Sequence, residues 1–202
     1  MKTLFIAAGL LAGLIGTARA DVITTPLAGI VQIDFSAFDG LINDTGSVAL
    51  GQGVLFSAAT DAELAPAARD LGDNGLWTGF GLNGFAAAGS DGVMTFRFDS
   101  TWQGVSAFVS HAGGGSLLVE ALGSGGSVLE STVVTFAAPS GAFGYDEGTT
   151  IGFVRGSADI AALRFSGTGA VVDQLSAVPE PGTWALMGAG LLLVGGLARR
   201  RA

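Results

Sequence analysis

Residues 92–99 of the chain are Gly-Val-Met-Thr-Phe-Arg-Phe-Asp, in which apolar and polar side chains alternate. Met94, Phe96 and Phe98 fall on one side of an extended chain, and the polar residues between them fall on the other. A period of two is typical of a β-strand with one face in a core and the other in solvent. The stretch therefore predicts a strand whose sheet is covered on one side.

Similar apolar runs recur at short intervals before and after this strand. The chain has 34 glycines and only 5 prolines, and the glycines separate runs rich in Val, Ile, Phe and Thr rather than forming a repeat. This spacing is typical of an all-β fold, an antiparallel two-sheet sandwich. Strands are predicted near Ile30–Phe35, Val54–Ala58, Val93–Asp99, Val105–Ser110, Ser116–Leu122, Ser127–Phe136, Ile151–Arg155, Ile160–Ser166 and Ala170–Ser176.

Four segments depart from simple alternation. Phe108 places an apolar side chain on the polar face of its strand, so both faces of that strand are expected to be covered. Residues 61–71 contain helix-forming residues but also Pro66, which predicts one or two helical turns. Residues 72–92 are predicted to form a long loop, and the Gly-Ser-Gly-Gly sequence at 123–126 is predicted to form a hairpin turn.

The beginning of the chain is typical of a secretory signal peptide. Lys2 precedes an apolar run at residues 4–16, and Ala18 and Ala20 form a small-x-small site before Asp21. Such a segment is removed by signal peptidase, so residues 1–20 are predicted to be cleaved and the mature protein to begin at Asp21.

The C-terminal region has three parts. Residues 178–182 are Val-Pro-Glu-Pro-Gly, residues 183–198 carry no charge, and residues 199–201 are all arginine. The prolines favour an extended, accessible segment. The uncharged part would make about 24 Å of helix, somewhat less than the hydrocarbon thickness of about 30 Å. A single transmembrane helix over 183–198 is predicted, with Trp184 at one interface and the arginines on the cytoplasmic side.

These parts resemble the PEP-CTERM sorting signal of exported bacterial proteins over residues 177–202. The matching positions are Pro179, Glu180 and Pro181, followed by the basic stop at Arg199, Arg200 and Arg201. The resemblance implies that a membrane-embedded exosortase recognises the Pro-Glu-Pro motif and processes the protein near it, with the arginines as retention signal. It implies a transient inner-membrane precursor that is released to the cell surface or the extracellular space. An ordinary single-pass anchor is the alternative.

The body between these signals, residues 21–177, has the size of one domain. It carries four arginines against sixteen acidic residues, a net charge of −12, and the chain has no cysteine. Such a surface repels nucleic acid and anionic lipid, and it favours solubility or cation binding over either of these partners. Disulfides and thiol chemistry are excluded.

Asp173 is the one candidate metal ligand of the body. It lies in a segment that loosely resembles the last strands of jelly-roll domains found in secreted sugar-binding modules, on the strand face of Val171 and Leu175. A buried carboxylate needs partners, so three interpretations stay open: a wet strand end, an ion pair with an arginine such as Arg97 or Arg164, or a structural Ca²⁺. No other cofactor is predicted.

Catalysis is not expected. His111 is the only histidine, which excludes a zinc site built on several imidazoles, and a solvated loop position is predicted for it. Glu120 and Glu130 flank the predicted hairpin and would suit glycoside hydrolysis only if they faced each other. A turn of two or four residues would instead place Glu120 opposite Leu129.

The sequence therefore predicts a non-enzymatic exported protein with a structural or adhesive body, delivered to the cell surface, exopolysaccharide or biofilm matrix. The alternative is a carbohydrate-binding module, with or without Ca²⁺, which needs an exposed aromatic platform. The candidates for such a platform are Trp77, Trp102 and Tyr145. A small hydrolase is the third hypothesis.

Overall fold

The computed structural model describes residues 21–38, 40–41, 47–59, 61–65, 69–70, 76–77, 84–138, 148–179 and residue 192. Apart from residue 192, the predicted signal peptide at 1–20 and the predicted membrane helix at 183–198 lie outside these residues. Among the described residues, no helix is long and apolar enough to cross a membrane.

The described part of the chain contains β-strands of two to ten residues. In chain order these are β1 Asp21–Ile23, β2 Val31–Ile33, β3 Gly40–Leu41, β4 Val48–Gly51, β5 Val54–Ala58, β6 Glu63–Ala65, β7 Arg69–Asp70, β8 Leu76–Trp77, β9 Phe85–Ala87, β10 Val93–Trp102, β11 Gly104–His111, β12 Gly115–Leu122, β13 Val128–Phe136, β14 Thr149–Val154, β15 Ile160–Ser166 and β16 Ala170–Val178. The predicted strands correspond to β2, β5 and β10 to β16, and their existence is confirmed.

The strands form two antiparallel sheets. Among the described residues, sheet A has the order β1-β14-β11-β16-β9-β6-β3, with β2 also paired to β16, and sheet B has the order β13-β12-β15-β10-β5-β4. The short strands β7 and β8 pair only with each other in the described part. The all-β, two-sheet antiparallel arrangement predicted from the sequence is confirmed. The predicted turn between β12 and β13 is also present, since Gly126 donates to the Gly123 carbonyl at 2.9 Å with φ of +79°.

An apolar core lies between the two sheets, and Phe96 of β10 is at its centre. The Phe96 ring lies 5.8 Å from the ring centroid of Phe35, 5.1 Å from that of Phe56 and 5.8 Å from that of Phe165. All four rings are fully buried. Tilted and edge-on contacts of this kind add stabilisation beyond the area that they bury. The alternation at residues 92–99 therefore places its phenylalanines between the sheets, as predicted.

The outer face of sheet A is also buried around β11. Every residue of β11 is buried, and Phe108 belongs to a second apolar cluster outside the main core. The other members of this cluster are Ala65, Phe85, Ala87, Ala112 and Val171. The expectation that both faces of this strand are covered is confirmed.

Two predictions for residues 61–92 are wrong. Residues 63–65 form β6 rather than a helical turn, and residues 85–87 form β9 rather than part of a loop. β6 pairs with both β3 and β9, and β9 pairs with β16. Ala65 and Phe85 are fully buried. Tertiary pairing between buried strands thus overrides the helical propensity of alanine.

We expect Phe96→Ala to lower the free energy of unfolding by about 3–5 kcal/mol, because it leaves a cavity among three other rings. Urea unfolding of the exported protein measures this loss. The matched control is Leu55→Ala, on the neighbouring strand β5, where the side chain is 42% exposed and the change should stay within about 0.5 kcal/mol. Equal losses in the two variants would contradict this assignment of the core.

Candidate functional site

The predicted sorting motif follows directly from a central strand of the body. β16 lies between β11 and β2 in sheet A, and its last residue, Val178, is followed immediately by Pro179. The Val178 carbonyl accepts a hydrogen bond from the Gln103 backbone at 3.1 Å. The chain is therefore held in the sheet up to the residue before the motif. The rest of the motif, Glu180 and Pro181, and the anchor residues Trp184, Arg199, Arg200 and Arg201 lie outside the described residues.

The first residue of the predicted mature chain lies at the same end of sheet A. Asp21 pairs with Val154, Val154 pairs with Gly104, and Gly104 pairs with Val178. Three strand spacings separate Asp21 from Val178, which corresponds to about 14 Å. The predicted cleavage site at Ala18 and Ala20 lies outside the described residues. The predicted N-terminal and C-terminal signals therefore both leave the body at this end of sheet A.

Arg155 closes this end of the sandwich. Its backbone donates to the Gln103 carbonyl at 2.9 Å, and its guanidinium contacts Asp159 at 2.7 Å and 3.0 Å. A third contact joins Arg155, which directly follows β14 of sheet A, to Glu130 in β13 of sheet B. The side-chain hydrogen bond with Asp159 and the two nearby carboxylates raise the pKa of Arg155. This arginine therefore ties the two sheets together beside the point where the motif begins.

The two candidate carboxylates of a hydrolase do not form a pair. Glu120 lies opposite Ser131, and Glu130 lies opposite Ala121, because a bulge shifts the register of the β12–β13 hairpin. The expectation that Glu120 faces Leu129 is wrong for the same reason. Consecutive residues of a strand point to opposite faces, so the two carboxylates leave opposite sides of sheet B. Glu120 is bound by Arg164 at 2.6 Å, while Glu130 is bound by Arg155.

Asp173 is fully buried at a bulge in β16. Asp173 lies opposite Phe108 and Ser176 lies opposite Ser106, so two residues of β16 face one residue of β11. Asp173 lies on the outer face of sheet A with Val171, as alternation along the strand requires, and the bulge that follows turns Leu175 into the main core. The Asp173 carboxylate accepts a hydrogen bond from the backbone of Gln174 at 2.5 Å.

One of the three interpretations of Asp173 is wrong, and a second is narrowed. Its complete burial excludes a wet strand end. Arg97 and Arg164 both lie in sheet B, with Arg97 exposed and Arg164 bound to Glu120, so neither can pair with it. Among the described residues, no three His, Cys, Asp or Glu side chains gather into a potential metal site. An ion pair with an arginine other than these two and the calcium interpretation both stay predictions.

His111 is buried at the end of β11, so the predicted solvated position is wrong. Its Nδ1 accepts the backbone N–H of Gly113 at 3.2 Å. Glycines make room for the ring: a Cβ at Gly115 would lie 2.4 Å from Nε2, and one at Gly169 would lie 2.8 Å from Cε1. Burial lowers the pKa of His111, while a hydrogen bond with the Thr168 backbone opposes that shift. The fold therefore favours the neutral imidazole.

Of the three aromatic candidates for a glycan platform, the structure describes the side chain of Trp102 alone. Trp102 is only 8% exposed, and its ring lies 6.4 Å from that of Phe98. The backbone of Trp77 lies in β8, but its side chain is not among the described parts, and Tyr145 lies outside the described residues. Trp102 consequently packs into the body and does not offer the exposed face that sugar stacking requires.

A cleft of about 270 Å³ lies at the opposite end of the sandwich, lined by turns and small residues. The acidic residue of this cleft is Asp61, which is not among the site residues predicted from the sequence. Both carboxylate oxygens of Asp61 accept the backbone N–H of Ser90 at 2.9 Å, and these hydrogen bonds lower the pKa of Asp61. The carboxylate thus fastens the β5–β6 loop to the β9–β10 turn. No sequence pattern marks this long-range contact.

We expect acid to destabilise the body through His111. Because the folded state lowers the pKa of His111, the unfolded chain binds the proton more tightly, and this part of the stability is complete above about pH 6.5 and is lost as the pH falls below it. Urea unfolding at about pH 7.5 and about pH 5.5 measures the loss. His111→Gln keeps a side chain that can hydrogen-bond but cannot titrate there. A wild-type loss no larger than that of His111→Gln would contradict the assignment.

Comparison with known protein families adds a match in one region. The PEP-CTERM protein-sorting motif matches residues 177–202. No curated protein matches the chain. The family match begins at Ala177, within the last strand of the body, and includes the Pro-Glu-Pro sequence that follows it. The chain therefore carries a PEP-CTERM protein-sorting motif at residues 177–202, which implies an exported protein that an exosortase processes.

Proposed function

We propose that the protein is a structural or adhesive component of the bacterial cell surface or extracellular matrix, with a non-catalytic β-sandwich as cargo of its sorting motif. The observation that carries the proposal is the alignment of Asp21 and Val178 at one end of sheet A. A signal peptide and a membrane helix attached there can both reach one membrane while the body is folded. The same alignment supports a transient inner-membrane precursor as the exosortase substrate.

The chemistry of the body supports a structural role. The charged groups that the sequence offered for catalysis have other partners: Glu120 is bound by Arg164 and Glu130 by Arg155. A general acid or base must be free to exchange a proton with its substrate, and these contacts fix the side chains instead. The net charge of −12 on residues 21–177 favours a hydrated surface suited to the extracellular space.

The strand order supports the jelly-roll expectation. Consecutive strands from β9 to β12 lie in alternate sheets, and so do those from β13 to β16, with only the β12–β13 hairpin staying in one sheet. Jelly rolls connect two sheets by such crossings. Sugar-binding modules share this architecture, but fold does not fix function. The carbohydrate-binding alternative, with association with exopolysaccharide, gains no support from Trp102, which is the one candidate whose side chain is described and which is buried.

The sorting step has a direct test. Replacing Pro179, Glu180 and Pro181 by alanine should leave the full-length protein in the inner membrane, because the exosortase no longer recognises its motif. Cell fractionation and immunoblotting of membrane and medium measure the distribution. Ser124→Ala, in the exposed turn of the β12–β13 hairpin, serves as the control and should be released like the wild type. Unchanged release of the triple variant would refute exosortase-dependent sorting.

A further inference from the structure

The edge strands of the two sheets differ strongly in length. Among the described strands, β1 and β3 at the edges of sheet A have three and two residues, and β4 at one edge of sheet B has four. β13, at the other edge of sheet B, has nine residues. Short edge strands are one way in which proteins avoid pairing with other chains, because they present few unpaired backbone groups. β13 lacks this protection.

The sequence of β13 also lacks protective residues. It is Val-Leu-Glu-Ser-Thr-Val-Val-Thr-Phe, without proline, lysine or arginine. Its single charge, on Glu130, is bound by Arg155. Residues 131–136 combine high β propensity with low charge, which is the composition of strands that pair readily with other strands.

Elsewhere the same protein blocks a free strand edge. The side-chain amide of Gln52 accepts from the Gln32 backbone N–H at 3.1 Å and donates to its carbonyl at 2.6 Å. Gln52 thereby occupies, in the middle of β2, the two backbone groups that a further strand would use. Gln52 lies in the turn between β4 and β5, with φ of +49°. Against this background, the nine-residue strand β13, which pairs on one side only among the described residues, is a distinct feature of this part of the chain.

The exposed side of β13 carries complementary side chains. Val133 is 62% exposed at its centre, with exposed Ser131 and Thr135 on either side. Thr135 already forms a hydroxyl pair with Ser116 across the β12–β13 ladder at 2.9 Å. Hydroxyl pairs and pairs of β-branched residues are favourable partners across antiparallel strands. This row can therefore pair with a strand of the same composition.

We propose that β13 pairs antiparallel with β13 of a second copy of this chain, about a twofold axis at Val133. This register places Val133 opposite Val133 of the second copy and Ser131 opposite its Thr135. Glu130 falls opposite Phe136 of the second copy, so no two charges face each other. That property matters for two bodies of net charge −12 each, since like charges directly opposite are destabilising. The two sheets B then form one continuous sheet with an isologous interface.

Self-pairing goes beyond the proposed function and does not depend on it. β13 can pair whether or not the exosortase processes the tail, and a monomeric protein could still be sorted. If both hold, processing would release a cargo with a built-in contact to its own kind. A matrix component would gain cohesion from that contact.

Cysteine cross-linking in the full-length chain, expressed in its exporting cell, tests the pairing. The chain has no cysteine, so Val133→Cys introduces one thiol that would lie opposite its symmetry mate, within the distance that a disulfide or a short bis-thiol reagent can bridge. The matched control is Leu55→Cys, also exposed in sheet B but near its other edge. We expect roughly tenfold more covalent dimer for Val133→Cys, because pairing raises the effective thiol concentration.

Sedimentation of the exported protein supplies the second arm. The wild type should sediment as a dimer, Val133→Lys should shift it to monomer by placing two ammonium groups face to face, and Val133→Thr should preserve the dimer. Circular dichroism checks that each variant is folded. A monomeric wild type, equal cross-linking of the two cysteine variants, a dimer that survives Val133→Lys, or a cross-linked band containing a different protein would each overturn the proposal.

Discussion

The pairing of β16 with β11 determines where the sorting motif leaves the body. The hydrogen bond from Gln103 to Val178 holds the chain in sheet A up to the residue before Pro179. Through β14, the same ladder brings Asp21 to this end of the sheet. Arg155 then joins sheet A to Glu130 of sheet B nearby. Two regions that are distant in the sequence therefore lie near each other at one end of the folded body. The predicted signal peptide and the sorting motif are attached there.

The strength of this arrangement comes from apolar packing, and its charged groups serve mainly to fix loops and ends. Asp61, Arg155 and Arg164 each bind a defined partner at a turn or across a ladder. Glu120 and Glu130, the two carboxylates considered for hydrolysis, are each bound by an arginine in this fold. The remaining acidic groups leave the predicted body with a strongly negative charge, which favours solubility outside the cell. Against this charge, β13 is distinct because its single charged residue, Glu130, is bound by Arg155.

Much of the fold could be predicted from the sequence. In long strands such as β10, the alternation of apolar and polar residues between glycines directly indicates which side chains are buried. The sorting motif was equally visible, since its recognition residues are contiguous. The failures have physical causes. β6 and β9 are each three residues long, which is too short for an alternating pattern of apolar and polar residues to be recognised. They are strands because they pair with neighbouring strands. The bulge after Asp173 reverses the facing of side chains, and no local pattern marks it. His111 is buried because remote Gly169 leaves space for its ring.

The folded body is proposed to be a cargo from which both flanking signals are removed. Intact mass spectrometry of the protein recovered from the cell exterior tests both removals in one measurement. The account predicts a chain that begins at Asp21, contains β16, and lacks the arginines at 199–201. Mature extracellular material that retains residues 1–20 or the arginine triplet would contradict it.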